Sequence, residues 1–468
     1  MRTFVSLAII ASVLLVGCPG KPRVAVSGKS GETWLATYLN DQKVGYSVTR
    51  YSRTSSGYRF ESLLKLQVSM AGKMQDVQSK SEVETGTDLV LQTMSFSMKA
   101  QDREVAFSGV VQGNVLEISA GAGKTRKAEL KGPVYPMAAL GQLVMSKKPW
   151  PESTFKVTVF DATLMAVTPV EVTVLGRDKL QFGGKEYEAL KVKTKMSKIE
   201  MLSWLDDDGM VVAEQSPPNM RSERVTAAEA VAEESGQGKL DILKMFRVVV
   251  DTLIPEPSDV KEVKLEITPT AGHTLDFSWE NEQRKPDGGV VVEIKTPKVP
   301  GSMPLPIAGQ DAFLQPSVSI QCDDPAIKAK AKEALGEPKD AVDAARKLVS
   351  WVFTVLEKEP TASFPTALDV LAHMKGDCNE HAVFFAALAR AAGIPAKIDA
   401  GLVYLDGAFY YHAWNEVFLG QWIPVDATFG EFPASALHLK LTEGELDQQT
   451  QILGVVGNIK IKILSAKK

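Results

Sequence analysis

The stretch "KGDCNEHAVFFAALARAAGIPAK", Lys375 to Lys397, holds one of the three cysteines in a chain of 468 residues. Gly376-Asp377 marks a turn. From Asn379 onward, Ala382, Phe385, Ala386 and Ala389 recur at helical spacing and run into Gly393. The pattern predicts a buried helix with Cys378 in its first turn. Free N–H groups and the positive end of the helix dipole gather there, and both favour an anion. Such a place lowers a thiol's pKa and raises its reactivity. Four readings of Cys378 follow: a nucleophile, half of a disulfide with Cys322, a metal ligand, or a small core residue.

A second stretch, "YHAWNEVFLGQWIPVDATFG" from Tyr411 to Gly430, bears on that choice. Strand alternation puts His412, Trp414 and Glu416 on one face, and Trp422, Pro424 and Asp426 on one face of the next run. A loop of Phe418-Leu419-Gly420 pairs Val417 with Gln421 and sets His412 directly opposite Asp426. Such neighbours have Cβ atoms about 5 Å apart. A carboxylate there orients an imidazole, and a thiol beside it completes a nucleophilic unit: Cys378 attacks, His412 is the base, Asp426 holds the tautomer. The Cys378 N–H is a natural oxyanion donor. His381 shares a helix side with Cys378 and is read as a supporting hydrogen-bonding residue; Trp414 is read as core or cleft wall. A zinc site of Cys378, His381, His412 and Asp426 is the competing arrangement. Strand geometry accounts for His412 and Asp426 without it, so neither metal nor cofactor is expected. His273, His373 and His438 join no constellation, and Cys322 in "SIQCDDP" reads as core.

The order G-x-C helix, then H-A-W, then a W-x-x-V-D strand resembles the catalytic core of the bacterial transglutaminase-like superfamily. The resemblance runs from about Pro306 onward, about a third of the chain. It implies a papain-like α+β core with Cys378, His412 and Asp426 in the roles above. It also implies action on amide or peptide bonds of a protein or peptide substrate, by hydrolysis or by acyl transfer to an amine. The alternative is a non-catalytic assembly protein that keeps the transglutaminase-like domain as an inactive scaffold. Eukaryotic crosslinking members use calcium; "DDDG", Asp206 to Gly209, lacks calcium-loop spacing and reads as a hairpin turn.

The rest of the chain sets the context. "MRTFVSLAIIASVLLVGC" carries Arg2, then an apolar run ending in Leu15-Val16-Gly17-Cys18. The run is shorter than the ~20 residues that span a bilayer. It reads as an export signal over 1–17, and its end resembles a lipobox with Cys18 as the lipidated residue. That predicts an envelope protein facing the periplasm or exterior, anchored to the membrane by lipid. Residues 18–33 read as a tether. Alternating runs broken by turns make 34–215 an antiparallel β-domain, with "MAALGQLVMS" as a helical interruption. Residues 216–300 read as a linker helix and a small β-domain built on "VKLEIT", "LDFSWE" and "GVVVEIK". Helical patterns followed by strands make 301–468 the α+β transglutaminase-like domain. The expected fold class is thus multidomain, β-rich in its N-terminal and middle regions and α+β at the end. The net charge of −4 and the lack of a basic stripe argue against a nucleic-acid partner.

Overall fold

Two successive meanders, joined edge to edge, build the largest sheet of the protein. A computed structural model describes residues 30–468 apart from 71, 102, 121–124, 163–165, 197–198, 218, 234–240, 242–246, 271–272, 276, 361–364, 450–451 and 453–456. The leader, Cys18 and most of the tether lie outside the described residues. The first meander holds β1 (Gly31–Leu39), β2 (Gln42–Arg53), β3 (Gly57–Met70), β4 (Lys73–Gly86), β5 (Leu91–Ala100), β6 (Arg103–Gln112), β7 (Val115–Ala120) and β8 (Arg126–Glu129). The second holds β9 (Val134–Pro136), β10 (Thr154–Asp161), β11 (Ala166–Phe182), β12 (Lys185–Met196), β13 (Ile199–Leu205), β14 (Val211–Ser216) and β15 (Met220–Val225). β1 pairs with β15, so the fifteen strands form one sheet with β8 and β9 at its ends. The first hairpin turns at Asn40-Asp41, both at positive φ (46° and 62°), as a two-residue hairpin turn requires. The interruption seen in the sequence is α1 (Leu140–Ser146), preceded by a short 3-10 turn at Met137–Ala139. A short helix, α2 (Ala227–Val231), follows β15 behind a Thr226–Glu229 capping box.

The middle region does not close on itself. β17 (Glu262–Pro269), β18 (Glu282–Arg284) and β19 (Val290–Lys295) form a small sheet whose fourth strand is β26 (Ile459–Lys467), paired with β17. "LDFSWE" joins no ladder, but Leu275 and Phe277 are buried in the core beneath. That core is shared. Val263, Leu265 and Ile461 pack with Leu402 and Phe409 from the sheet that carries His412, so residues 262–295 and the final segment are one packing unit.

In the last third, α3 (Pro325–Leu335), α4 (Ala341–Val355) and α5 (Ala367–His373) start at Asp324, Asp340 and Thr366, whose side chains accept from first-turn N–H groups. α6 (Cys378–Ala391) is the central element. Its residues Glu380 to Ala389 are all buried, between Leu348, Val349 and Val352 of α4 on one side and strand residues Ala413 and Val417 on another. A helix apolar on all sides belongs inside a core. Phe384 and Phe385 are wholly inaccessible, and burial of each contributes about 1.5–3 kcal/mol. The neighbouring sheet runs β16 (Val248–Val249), β23 (Ala408–Phe418), β22 (Ala396–Leu405), β25 (His438–Glu443), with β24 (Trp422–Val425) paired to β23. β20 (Glu357–Lys358) and β21 (Lys375–Gly376) form a two-residue parallel ladder just before Cys378.

Candidate active site

Cys378 is the first residue of α6. Asp377 caps it by accepting from Asn379 N–H, and Glu380 closes a capping box onto Asp377 N–H at 3.0 Å. The helix start is thus tied down on both sides of the thiol. Asn415, buried in β23, donates to the carbonyls of Ala382 in α6 and Lys397 in β22, at 3.0 and 3.2 Å. This fixes the helix to the strand that bears His412. The N–H of the His412–Ala413 peptide donates to the Cys378 sulfur, so thiol and imidazole flank one peptide unit.

His412 and Asp426 meet, but by another register than the one expected. β23 and β24 pair Phe418 with Trp422 and Val417 with Ile423, so the loop is Leu419-Gly420-Gln421 with Gly420 at φ 83°. The expected loop began one residue earlier, at Phe418. The difference is two residues in pairing, an even number, so the faces are kept. Asp426 lies just past β24, at the start of a turn closed by paired hydrogen bonds with Glu431 at 2.9 Å. From there its Oδ2 accepts from His412 Nε2 at 2.7 Å, while Oδ1 accepts from the N–H groups of Thr428 and Phe429 at 2.7 and 3.0 Å. The pair is buried, His412 at 4% exposure and Asp426 at 0%. With Nε2 donating to the carboxylate, the lone pair of neutral His412 is on Nδ1.

A further histidine belongs to the cluster. His438, which linear spacing left without partners, donates from Nε2 to the same Asp426 Oδ2 at 3.0 Å. Its Nδ1 lies 3.1 Å from the carbonyl of Ser435. The Ser435 hydroxyl lies 3.4 Å from the same nitrogen. It comes from β25, which pairs with β22 and not with β23, so no period in the sequence signals it. Phe429, also unremarked in the sequence, stacks on His412 at 4.8 Å and 12°. Trp414 lies parallel to His412 at 6.1 Å and edge-on to His438 at 5.2 Å. Trp414 is buried, whereas Phe429 is partly open to solvent.

The charges follow from these contacts. Burial raises the Asp426 carboxyl, but the two imidazoles outweigh it and hold the group well below the ordinary carboxylate range. Burial lowers His438, and Asp426 more than reverses this, so its pKa is raised. Cys378 departs from the expectation of a lowered thiol pKa. Burial pushes it well above the usual value, Asp377 adds to this, and the Ala413 N–H only partly offsets them. The surroundings of the sulfur outweigh the helix terminus.

His381 is fully buried. Its Nδ1 donates to Asp377 carbonyl at 2.7 Å, and burial lowers its pKa. Among the described residues, Cys378 and His381 do not come within ligand distance of His412 and Asp426 as a metal set; the grouping that includes those two is His412, Asp426 and His438, and a second is Asp399, Glu416 and Glu443. Cys322 and Cys378 are both free thiols.

The large sheet also reaches this site. Arg103, at the start of β6 and 2% exposed, donates to the carbonyl of Lys375. Its guanidinium lies 3.7 Å from Glu380 and 3.8 Å from Asp369. Glu380 therefore has two duties, the cap on the Cys378 helix and the counter-charge of a buried arginine from the other end of the chain.

Residues 328–427 match the model of the transglutaminase-like superfamily, a span that contains Cys378, His412 and Asp426. No curated protein matches the chain. Among solved structures, a β-barrel-like protein of a domain of unknown function from Brucella abortus aligns at 13% identity over 42% of this chain and 95% of its own, with a TM-score of 0.36. A protein from Cytophaga hutchinsonii, proposed to be a cysteine protease, aligns at 19% identity over 45% of this chain and 89% of its own, TM-score 0.31. The periplasmic domain of TgpA from Pseudomonas aeruginosa aligns at 17% identity over 40% of this chain and 90% of its own, TM-score 0.26. Residues 328–427 are thus a transglutaminase-like domain within this chain.

Proposed function

We propose that the chain is a lipid-anchored thiol enzyme of the cell envelope that acts on amide or peptide bonds of a protein or peptide substrate. The observation that carries the reading is the buried His412–Asp426 pair, whose strand donates the next peptide N–H to the Cys378 sulfur. The thiol proton passes to His412 Nδ1, and Asp426 stabilises the imidazolium that results. The thiolate attacks the carbonyl carbon, and the oxyanion meets the N–H groups of the first turn of α6. The amine leaves with the proton from His412, and a thioester remains on Cys378. Water or a second amine resolves it; water is preferred, since no feature marks an amine-acceptor site. No step uses a metal or cofactor.

The anchor is Cys18, after cleavage of 1–17. No helix among the described residues is long and apolar enough to cross a membrane. The proposed organisation is that of the sequence: β-domain 34–215, middle segment 216–300, transglutaminase-like domain 301–468.

The test is trapping. Iodoacetamide should label Cys378 in preference to buried Cys322, and His412→Ala should abolish the preference. A glutamine-containing peptide with and without added amine then separates hydrolysis from transfer. One observation favours the second reading, a non-catalytic binding protein on an inactive scaffold: burial holds the resting thiol protonated. Cys378→Ala discriminates. Full cellular function in that variant sinks the enzyme reading.

A further inference from the structure

A cavity of about 350 Å³ lies on the concave face of the large sheet, in the range of small-molecule sites and remote from Cys378. One wall is α1 and the turn before it, with Met137, Leu140 and Val144 facing in. α1 is held hard against the sheet: a Cβ on Gly141 would lie 2.0 Å from the carbonyl of Gly209. Phe160 and Val192 continue the apolar lining. The opposite wall is different. Thr33, Thr49, Ser62 and Ser81 are partners in register across β1, β2, β3 and β4, and all four line the cavity. Four strands at about 4.8 Å spacing make a hydroxyl ladder about 14 Å long. Across such a face an apolar core would place apolar residues.

Charge in this space is one-sided. Among the described residues, Glu214, from β14, and Asp161, at the end of β10, are the ionisable residues of the wall, and no lysine, arginine or histidine lines it. The inward-facing Arg224 of β15 is committed elsewhere, to Asp206 at 2.9 Å and to the carbonyls of Met210 and Val211. Among the described residues, Glu214 has no ion-pair partner there. A carboxylate so placed costs free energy unless a donor or cation meets it.

We infer that this cavity binds an amphiphile carrying an ammonium group, with the cation on Glu214, polar groups along the hydroxyl ladder, and the apolar body against α1. The carboxyl of Glu214 is pushed up to about 7 by burial, so the free site loses its charge in mildly acid solution and holds it above. Binding of a cation should strengthen as pH rises through that value. The inference stands apart from the thiol chemistry, and Cys378→Ala should bind as the parent does.

The test is calorimetric titration of the intact chain in detergent-free buffer at pH 8 with decylammonium, decanol and decanoate. These share an apolar tail and differ in head charge. Decylammonium should bind about tenfold tighter than decanol, as a charge-assisted contact allows, and decanoate should bind weakest. Glu214→Gln should erase the preference and leave decanol affinity in place. Val144→Trp fills the cavity from α1 and should block all three ligands while the circular dichroism of the sheet is kept. Decanoate binding as tightly as decylammonium, no binding of any of the three, or a cation preference that survives Glu214→Gln overturns the inference. So does decylammonium binding unchanged in Val144→Trp.

Discussion

His438 and His412 donate to one oxygen of Asp426, at 3.0 and 2.7 Å, and the second histidine also meets a carbonyl through its other nitrogen. The orienting carboxylate therefore serves two imidazoles. The predictions below start from that sharing.

Asp426→Asn removes the charge that stabilises an imidazolium while keeping the shape. By analogy with other carboxylate-oriented imidazoles, turnover should fall about 10³- to 10⁴-fold. Binding of substrate should change little. Steady-state kinetics on whichever amide substrate the trapping assay identifies would show this as a loss in kcat; a loss confined to KM contradicts the role.

The second histidine makes stability depend on pH. Its folded pKa is raised, so its contribution is fully present below the unfolded value of about 6.5 and is lost as pH rises through the folded value. The groups that face it are Asp426, Glu431, His412 and the Ser435 carbonyl. Melting temperature should fall on the alkaline side of about 6.5, and His438→Gln should flatten that fall. Asp426 works in the opposite sense. Its depressed pKa contributes stability above about 3.9, lost only as pH drops towards the folded value. An alkaline limb that persists unchanged in His438→Gln counts against the assignment.

Arg103 is buried against two carboxylates, so Arg103→Met takes its charge away from both. Destabilisation of about 3–5 kcal/mol is expected, with slower alkylation of Cys378 as the cap on its helix loosens. Glu380→Gln added to it removes the charge that faced the arginine and keeps an acceptor for Asp377 N–H. The double variant should recover part of both losses. Additive effects in urea denaturation would mean that Arg103 and Glu380 do not act on each other.

Chelation should do nothing. His412, Asp426 and His438 meet directly through N–H donors, which leaves those ligand atoms occupied. Cys378 labelling is expected to be the same before and after EDTA, with zinc far below one equivalent per chain by elemental analysis. Stoichiometric zinc would move the cluster to a metal site.

Local signals carried the sequence reading where contacts are local. The Gly376-Asp377 turn and the period of α6 involve neighbours within four residues. The face shared by His412 and Asp426 was legible because parity survives an even slip in register. The slip itself was not, since Gly420 in the last or the middle position of a three-residue loop satisfies the same positive φ. His438 and Arg103 were beyond reach. One arrives through a strand that does not touch β23, the other across 272 residues of chain. The thiol pKa was misjudged because a helix terminus is visible in sequence and the burial around a sulfur is not.

The pairing of β17 with β26 has a consequence for how the chain matures. β17 finds its second neighbour only after α3 to α6 and the whole His412 sheet have been made, since they lie between the two in sequence. Until then, Val263, Leu265 and Ile267 have one flank open, and the core they share with Leu402 and Phe409 is unfinished. Such long-range closure is slow and leaves an unpaired edge exposed. The strand holding His412 would therefore set late, only after β26 has been made, and a chain lacking β26 should hold Cys378 without a settled base. An order of assembly of this kind keeps the thiol idle until the protein has reached its final form.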